Sequence, residues 1–535
     1  MTGAPTTQAA HSPWSPFRHA TFTVIWTATL VSNIGGWMYS SASAWLMTSL
    51  DADPRMVSLV QVAATLPMVL FALPAGALAD IVDKRRFLIG AEIFTAVVST
   101  WFAVLVWLHF VSPMSLLLCT FLIEAGSAAT APAWQSVVPA LVPKAELPAA
   151  IAMNSVGVNV SRAAGPALGG VITAAFGIAA PFWVNAVSNF GVIGALLRWR
   201  SAAHQDPQLP AERFLGALRI GIRHTRNNRR LRATLLRAVG FFLFASCYWA
   251  LLPLVARNQV GGGARFYGIL LGTIGAGAVG GVFWLPWLRA TLGRNRVVAA
   301  GSMGTAVALV LYGYSRNPVT AVVASAVAGV CWIAVLSNLN VSAQLALPEW
   351  VRGRGLAIYA TVFFGSLTVG SLLWGQVARV VGVPVALYLA AAGALLAIPA
   401  TWRWQLHTGT DIDLTPSMHW PTPVLGHPVD QDAGHVLVTV EYRVRDGNRQ
   451  PFLEALKLLS HQRGRDGAYG WGLFENAATP GRFLEKFLVE SWLEHLRQHK
   501  RVTNADRELQ ARINQLLESP PTVTHLIEVR DALQP

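Results

Sequence analysis

Apolar stretches of about twenty residues recur along most of this chain, and no other feature constrains its fold as tightly. A helix needs about 20 mostly apolar residues to cross about 30 Å of hydrocarbon. Segments 18–49, 56–80, 87–108, 113–138, 149–176, 178–199, 231–256, 265–289, 296–315, 319–346, 354–380 and 383–405 meet that length. Only 13% of the 535 residues are charged, against about 25% in a soluble domain, and mean hydropathy is +0.44. The expected fold class is an all-α membrane protein with twelve transmembrane helices in two six-helix halves, 18–199 and 231–405. A small soluble α+β domain, 435–535, follows a linker at 406–434.

The basic residues orient such a bundle. Lys84 to Arg86, Lys144, the stretch from Arg198 to Arg232, Arg289 to Arg296, Arg352 with Arg354, and Arg403 fall in every second connection. The alternate connections hold only Arg55, Arg257, Arg265, Arg316 and Arg379. Cytoplasmic loops carry the excess of Lys and Arg, so a multi-pass cell-membrane protein with both termini in the cytoplasm is expected. The same rule absorbs the net charge of +14, so no nucleic-acid partner is expected. Residues 1–17 are polar and proline-broken, with no cation ahead of an apolar segment, and read as a disordered cytoplasmic tail rather than a secretory signal. Cys119, Cys247 and Cys331 lie within apolar stretches without metal-ligand spacing; no metal or cofactor is expected.

The connection at 200–230 joins the halves. Within it Phe214, Leu215, Leu218 and Ile222 recur at helical spacing, with Arg213, Arg219, Arg223 and Arg226 between them. That pattern suits an amphipathic helix on the inner membrane surface or docked under the bundle.

Between the second and third segments stands GALADIVDKRR, Gly76 to Arg86. It resembles the loop signature of the major facilitator superfamily: glycine, x, leucine, alanine, aspartate, then a basic cluster. Gly76 would let two helices approach and Asp80 can pair with Arg85 or Arg86, and the resemblance implies that this cluster, with Lys84, forms a gate that latches the cytoplasmic side shut. The second half keeps glycines and arginines from Gly280 to Arg296 but no equivalent aspartate, so the gate should be one-sided. In the fifth segment, SRAAGPALGG resembles the antiporter motif of exporting facilitators. Gly165, Pro166, Gly169 and Gly170 match, Arg162 lies beside them, and Ala152 and Ser161 stand where the motif prefers glycine. Ala131 to Gly170 and Phe17 to Met38 are similar to the facilitator branch of enterobactin exporters and related secretion effectors. The resemblance covers residues 17 to about 405 and implies secondary transport of a small molecule, siderophore- or drug-like, coupled to protons.

Ionisable groups inside a membrane are costly and mark function by default. Glu124 and Arg162 sit near the middle of neighbouring segments at similar depth. Either Glu124 carries the coupling proton with Arg162 tuning it, or the two form a structural ion pair. Glu92 and Arg237 lie near the cytoplasmic edge and should snorkel. By the resemblance, segments one, four, seven and ten line the cavity, which makes Asn33, Asn338 and Gln344 cavity candidates. Trp26, Trp37, Trp45, Tyr248, Trp249 and Trp332 would wall it or anchor at the interface.

After residue 434 the pattern turns soluble. Strands are expected at 435–444, 469–475, 482–490 and 523–529, and helices at 450–462, 492–500 and 506–517. That order is ferredoxin-like and resembles the antibiotic-biosynthesis-monooxygenase-like domains, with a homodimer through this domain as a partner to expect. Trp471, Trp492, His461, His495 and His499 are conceivable site residues. His495 and His499 beside Glu494 and Arg497 suggest a solvated face, and two histidines alone make an incomplete metal set. No enzymatic activity is expected. The alternatives to a lipid-embedded exporter are a membrane-anchored enzyme or regulator acting through the tail, or an assembly factor.

Overall fold

A computed structural model of the chain describes residues 12, 14–81, 83–199, 214–406, 417, 420 and 435–528, without the side chains of 72, 73, 76–81, 132, 135, 136, 138–140, 144, 214–220, 349, 500 and 501. It forms two compact units, one of Met1–Leu209, Leu235–Leu339 and Tyr359–Trp404, the other of Pro210–Thr234, Asn340–Ile358 and Gln405–Pro535.

The first unit is helical. Its first half contains α1 (Ala20–Leu50), α2 (Pro54–Ile81), α3 (Lys84–Trp107), α4 (Pro113–Leu141), α5 (Leu147–Phe176) and α6 (Ala180–Arg198). After α7 (Phe214–Asn227), the second half runs through α8 (Arg229–Leu254), α9 (Ala264–Tyr314), α10 (Pro318–Leu345), α11 (Arg352–Val381) and α12 (Val383–Trp402). The helix starts follow local chemistry. Ser112 and Ser115 form a capping box at α4, Asp83 accepts from the Arg86 amide at 2.8 Å to cap α3, and prolines open α2, α4 and α10. The apolar stretch 265–289 and its successor 296–315 share α9, which is divided at Gly293 (φ 73°, ψ 161°). Only glycine adopts that left-handed backbone cheaply. Among the described residues, nine helices are long and apolar enough to cross a membrane. α1 and α5 have the length but are diluted by Ser, Thr, Asn and Gly.

The packing repeats between halves. α5, the fifth helix of the first half, lies against the start of α9. α11 lies against α2, with the Thr65 and Thr368 hydroxyls bonded at 2.7 Å and Gly375 close on Ser58. Each fifth helix thus meets the second helical piece of the other half, as a parallel duplication requires.

The second unit contains a four-stranded antiparallel sheet of β1 (Val436–Arg443), β2 (Tyr469–Glu475), β3 (Arg482–Val489) and β4 (Thr522–Ile527), ordered β2-β3-β1-β4. α13 (Arg449–Arg465), α14 (Trp492–Arg501) and α15 (Asn504–Gln515) join the strands. Alternation along β1 buries Val436, Val438, Val440 and Tyr442, which pack with Phe452, Leu456 and Leu459 of α13.

α7 belongs to this second unit. The His224 ring bonds the Arg465 carbonyl at 3.1 Å. The Arg223 guanidinium donates to the Gly467 carbonyl, lies 3.6 Å from the Glu490 carboxylate and stacks over Tyr469. Asn228 caps α8 and donates to the Ala346 carbonyl at 2.7 Å. Of the arginines placed between the apolar positions of α7, Arg223 finds a carbonyl and a carboxylate on the tail domain.

Candidate functional site

The two halves of the helical unit meet at the end that carries the α1–α2 turn. An added Cβ at Gly170 of α5 would meet the Gly268 Cα of α9 at 2.9 Å and the Ala264 carbonyl oxygen at 3.0 Å. One at Gly275 would meet the Ala163 Cα at 2.6 Å, so glycine is required where the backbones touch. Trp45 stacks on Tyr267 with ring centroids 5.9 Å apart. Arg257 donates to the Thr48 carbonyl and to the Thr48 and Ser49 hydroxyls. Asp53 pairs with Arg379 at 3.2 Å.

The antiporter-like motif divides its labour along this seam. Gly165 and Gly169 admit α1, where an added Cβ would strike Trp37 and Ser41. Gly170 and the Pro166 carbonyl face Gly268 of α9. Buried Ser161 donates back to the Gly157 carbonyl at 2.9 Å and across to that of Leu30 at 3.3 Å, so its hydroxyl is satisfied where glycine was expected.

Glu124 and Arg162 are not brought together as an ion pair. The Arg162 guanidinium sits 5.6 Å from the centre of the Trp37 ring, and its Nε makes no hydrogen bond. Glu124 lies one turn along α4 from Thr120, whose hydroxyl bonds Tyr39 at 2.9 Å. Both side chains are half-buried.

The gate residues are only partly described. Gly76 and Asp80 fall in the last turns of α2, whose side chains lie outside the described residues. Lys84, Arg85 and Arg86 open α3. Arg85 donates to the Leu196 carbonyl at 3.0 Å and the Leu197 carbonyl at 2.7 Å, ending α6 within its own half.

Among the cavity candidates, Asn33 is half-buried and Gln344 exposed, the latter bonding Asn340. Asn338 is fully buried. Its Oδ1 accepts from Arg289 at 3.0 Å and its Nδ2 donates to the Ala334 carbonyl at 2.7 Å. Arg289, read in the sequence as a loop cation, also donates to Ser337 at 2.8 Å. Arg237 does not snorkel: it is buried and donates to the Trp404 carbonyl at 2.7 Å. The aromatics split as well. Trp26 donates to the Met153 carbonyl at 3.1 Å, while Tyr248, Trp249 and Trp332 cluster with Phe242 and Phe363.

In the tail domain, fully buried Glu485 accepts from Tyr442 at 2.7 Å, Trp471 at 2.9 Å and Arg463 at 3.4 Å, a carboxylate satisfied by three donors. The expected solvated face at His495 and His499 is not observed. His495 is 2% exposed and its Nε2 lies 3.2 Å from that of His499. His525 of β4 joins them, its ring centroid 4.6 Å from that of His495. Burial first, then the neighbouring imidazoles, push the His495 pKa down to about 3. His461 is exposed and apart from the cluster. No spacing rule links a strand histidine to a helix so far before it, which is why the sequence did not reveal the third ring.

The profile of a family described as transmembrane secretion effectors matches residues 11–532. The staphyloferrin A transporter of Staphylococcus aureus is 22% identical over 351 residues, 65% of this chain and 87% of the relative. The multidrug efflux pump Tap of Mycolicibacterium fortuitum is 22% identical over 366 residues, 66% and 88% respectively. In fold, the chain is similar to a bacterial homologue of the human lysosomal transporter Spinster, in an inward-facing and unoccupied conformation. The TM-score is 0.53 at 13% identity, over 74% of this chain and 99% of that one.

Proposed function

Because the chain belongs to the transmembrane secretion effector family of the major facilitator superfamily, a family of multi-pass membrane transporters, we propose that it exports a small molecule in exchange for protons by alternating access. The observation that carries this reading is the seam between the halves. Close contacts of glycine on backbone, a buried hydroxyl pair and an ion pair join α1, α2, α5, α9 and α11. Two halves fastened at one end can rock about a site between them.

Twelve crossings follow when α1 and α5 join the nine apolar helices and α9 counts twice at Gly293. The alternation of basic connections puts the fastened end outside and both termini in the cytoplasm. The state is then open inward, and it agrees that Arg85 is engaged within its own half rather than across the gate. Glu124 is the proton carrier in this reading, with Arg162, parked over Trp37, as the charge that modulates it. Asn33 and Gln344 remain cavity candidates. The relatives named for staphyloferrin A and for drugs support a siderophore- or drug-like cargo, in keeping with the enterobactin-exporter-like branch.

The strand order and βαββαβ sequence of the tail suit a ferredoxin-like domain able to dimerise. A regulatory role for it is favoured by one observation: the helix linking the halves, α7, is held by this domain through Arg223 and His224.

The decisive experiment is transport in inverted vesicles against a panel of siderophores and drugs, with and without a proton gradient. Gradient-dependent uptake of at least one compound is expected. A protein that moves none of them, yet is folded and inserted, would return the reading to an anchored regulator.

A further inference from the structure

We propose that His495, His499 and His525 bind one divalent transition-metal ion of the zinc class in the tail domain. His495 and His499 stand one turn apart on α14 and so share a face of that helix. His525 arrives on β4, opposite Val438 of β1. Ligating nitrogens of all three lie within 4.8 Å of one another.

The distances match the chemistry. A tetrahedral ion with metal–nitrogen bonds of about 2.0–2.1 Å holds two ligand nitrogens about 3.3–3.4 Å apart. The two Nε2 atoms of His495 and His499 are separated by 3.2 Å, so this pair already stands at ligand spacing. A small rotation of the half-buried His525 ring completes the set. Three imidazoles are one ligand short of a closed structural zinc site and equal in number to open, three-ligand zinc sites. An all-imidazole set selects zinc, copper, nickel or cobalt over magnesium or calcium, which require oxygen.

A second observation points the same way. The Nδ1 of buried His495 and the Gln498 amide oxygen near it have no hydrogen-bond partner other than each other, while the Gln498 amide nitrogen donates to the Asp466 carbonyl at 3.1 Å. Buried polar atoms without partners are rare and costly. An ion on Nε2 gives both a purpose. The proton then resides on Nδ1, which donates to the Gln498 oxygen as a supporting acceptor behind the ligand. Trp492 packs on both the His495 and His525 rings and screens the site from water. The cation facing His495, Arg463, is ion-paired with Glu485, so its charge is compensated.

Cobalt titration of tag-free, full-length protein in detergent tests this, with bound metal counted by mass spectrometry. One ion per chain with the visible absorption of tetrahedral cobalt is expected, displaced by zinc. His525→Gln and His499→Gln should each weaken binding by roughly tenfold or more, since each removes a ligand. His461→Gln should leave it unchanged. Far-UV circular dichroism and protease resistance of the tail serve as the folding control. The absence of a tetrahedral spectrum in the wild-type protein overturns the proposal. So does binding unaffected in a folded His525→Gln protein, or equally lost in His461→Gln. None of these readouts depends on transport.

Discussion

Among single residues, the arginines show how burial sorts charge into roles that composition blurs. Arg289 and Arg237 count equally as basic residues near span ends, but each ends on carbonyl or amide oxygens within the second half. Arg162 covers the Trp37 indole and leaves its Nε unused, and Arg237 likewise covers the Trp402 indole and leaves one terminal nitrogen unused, but the Trp404 carbonyl takes up the Nε of Arg237. If Asn338 is a packing residue, Asn338→Ala should cost about 1–3 kcal/mol by stranding Arg289. Thermal denaturation in detergent should register the loss, and the range of exported compounds should stay unchanged. A shifted range at constant stability would restore Asn338 to the cavity. Glu124→Gln should abolish the gradient-dependent part of export while downhill exchange persists. Proton-driven export at wild-type rate across pH would remove Glu124 from the coupling role.

At the level of elements, the α5–α9 seam is the most sharply specified contact in the helical unit. Gly170→Val places a side chain where a Cβ already meets backbone at 2.9 Å, and overpacking of this kind typically costs about 1–3 kcal/mol. The expected result is normal insertion with lost transport, because the seam cannot close. Full transport activity would show that the halves never come this close in the working cycle. The α7 contact makes a separate prediction. Arg223→Glu brings a carboxylate to the Gly467 carbonyl and to Glu490, so the tail should release α7. Limited proteolysis should then cut faster between α7 and α8 than in the wild type, and an unchanged pattern would mean that the contact contributes little.

For the whole molecule, the proposed alternating access turns the fastened end into a test of state. Cysteines replacing Ser49 and Arg257, positions that the long Arg257 side chain joins across the halves, should be linked by a reducible thiol-to-thiol reagent of about the arginine's length, and the link should arrest transport. Reduction should restore it. Free transport through the cross-linked protein would contradict rocking about this end. Much of this architecture was legible in the sequence, since a run of apolar residues long enough to span lipid has few ways to satisfy its backbone other than as a helix. The span limits, the break near Gly293 and the strand–helix order of the tail all follow from such local patterns. The GALAD and antiporter-like motifs pointed to the superfamily, and the stretches Ala131 to Gly170 and Phe17 to Met38 to its secretion-effector branch. What only the tertiary structure decided was partnership: Asn338 with Arg289, Glu124 apart from Arg162, α7 with the tail, and His525 beside His495. Periodicity tells which face of an element is apolar. It carries no information on which distant element covers that face, because that is settled by the packing of surfaces far apart in the chain.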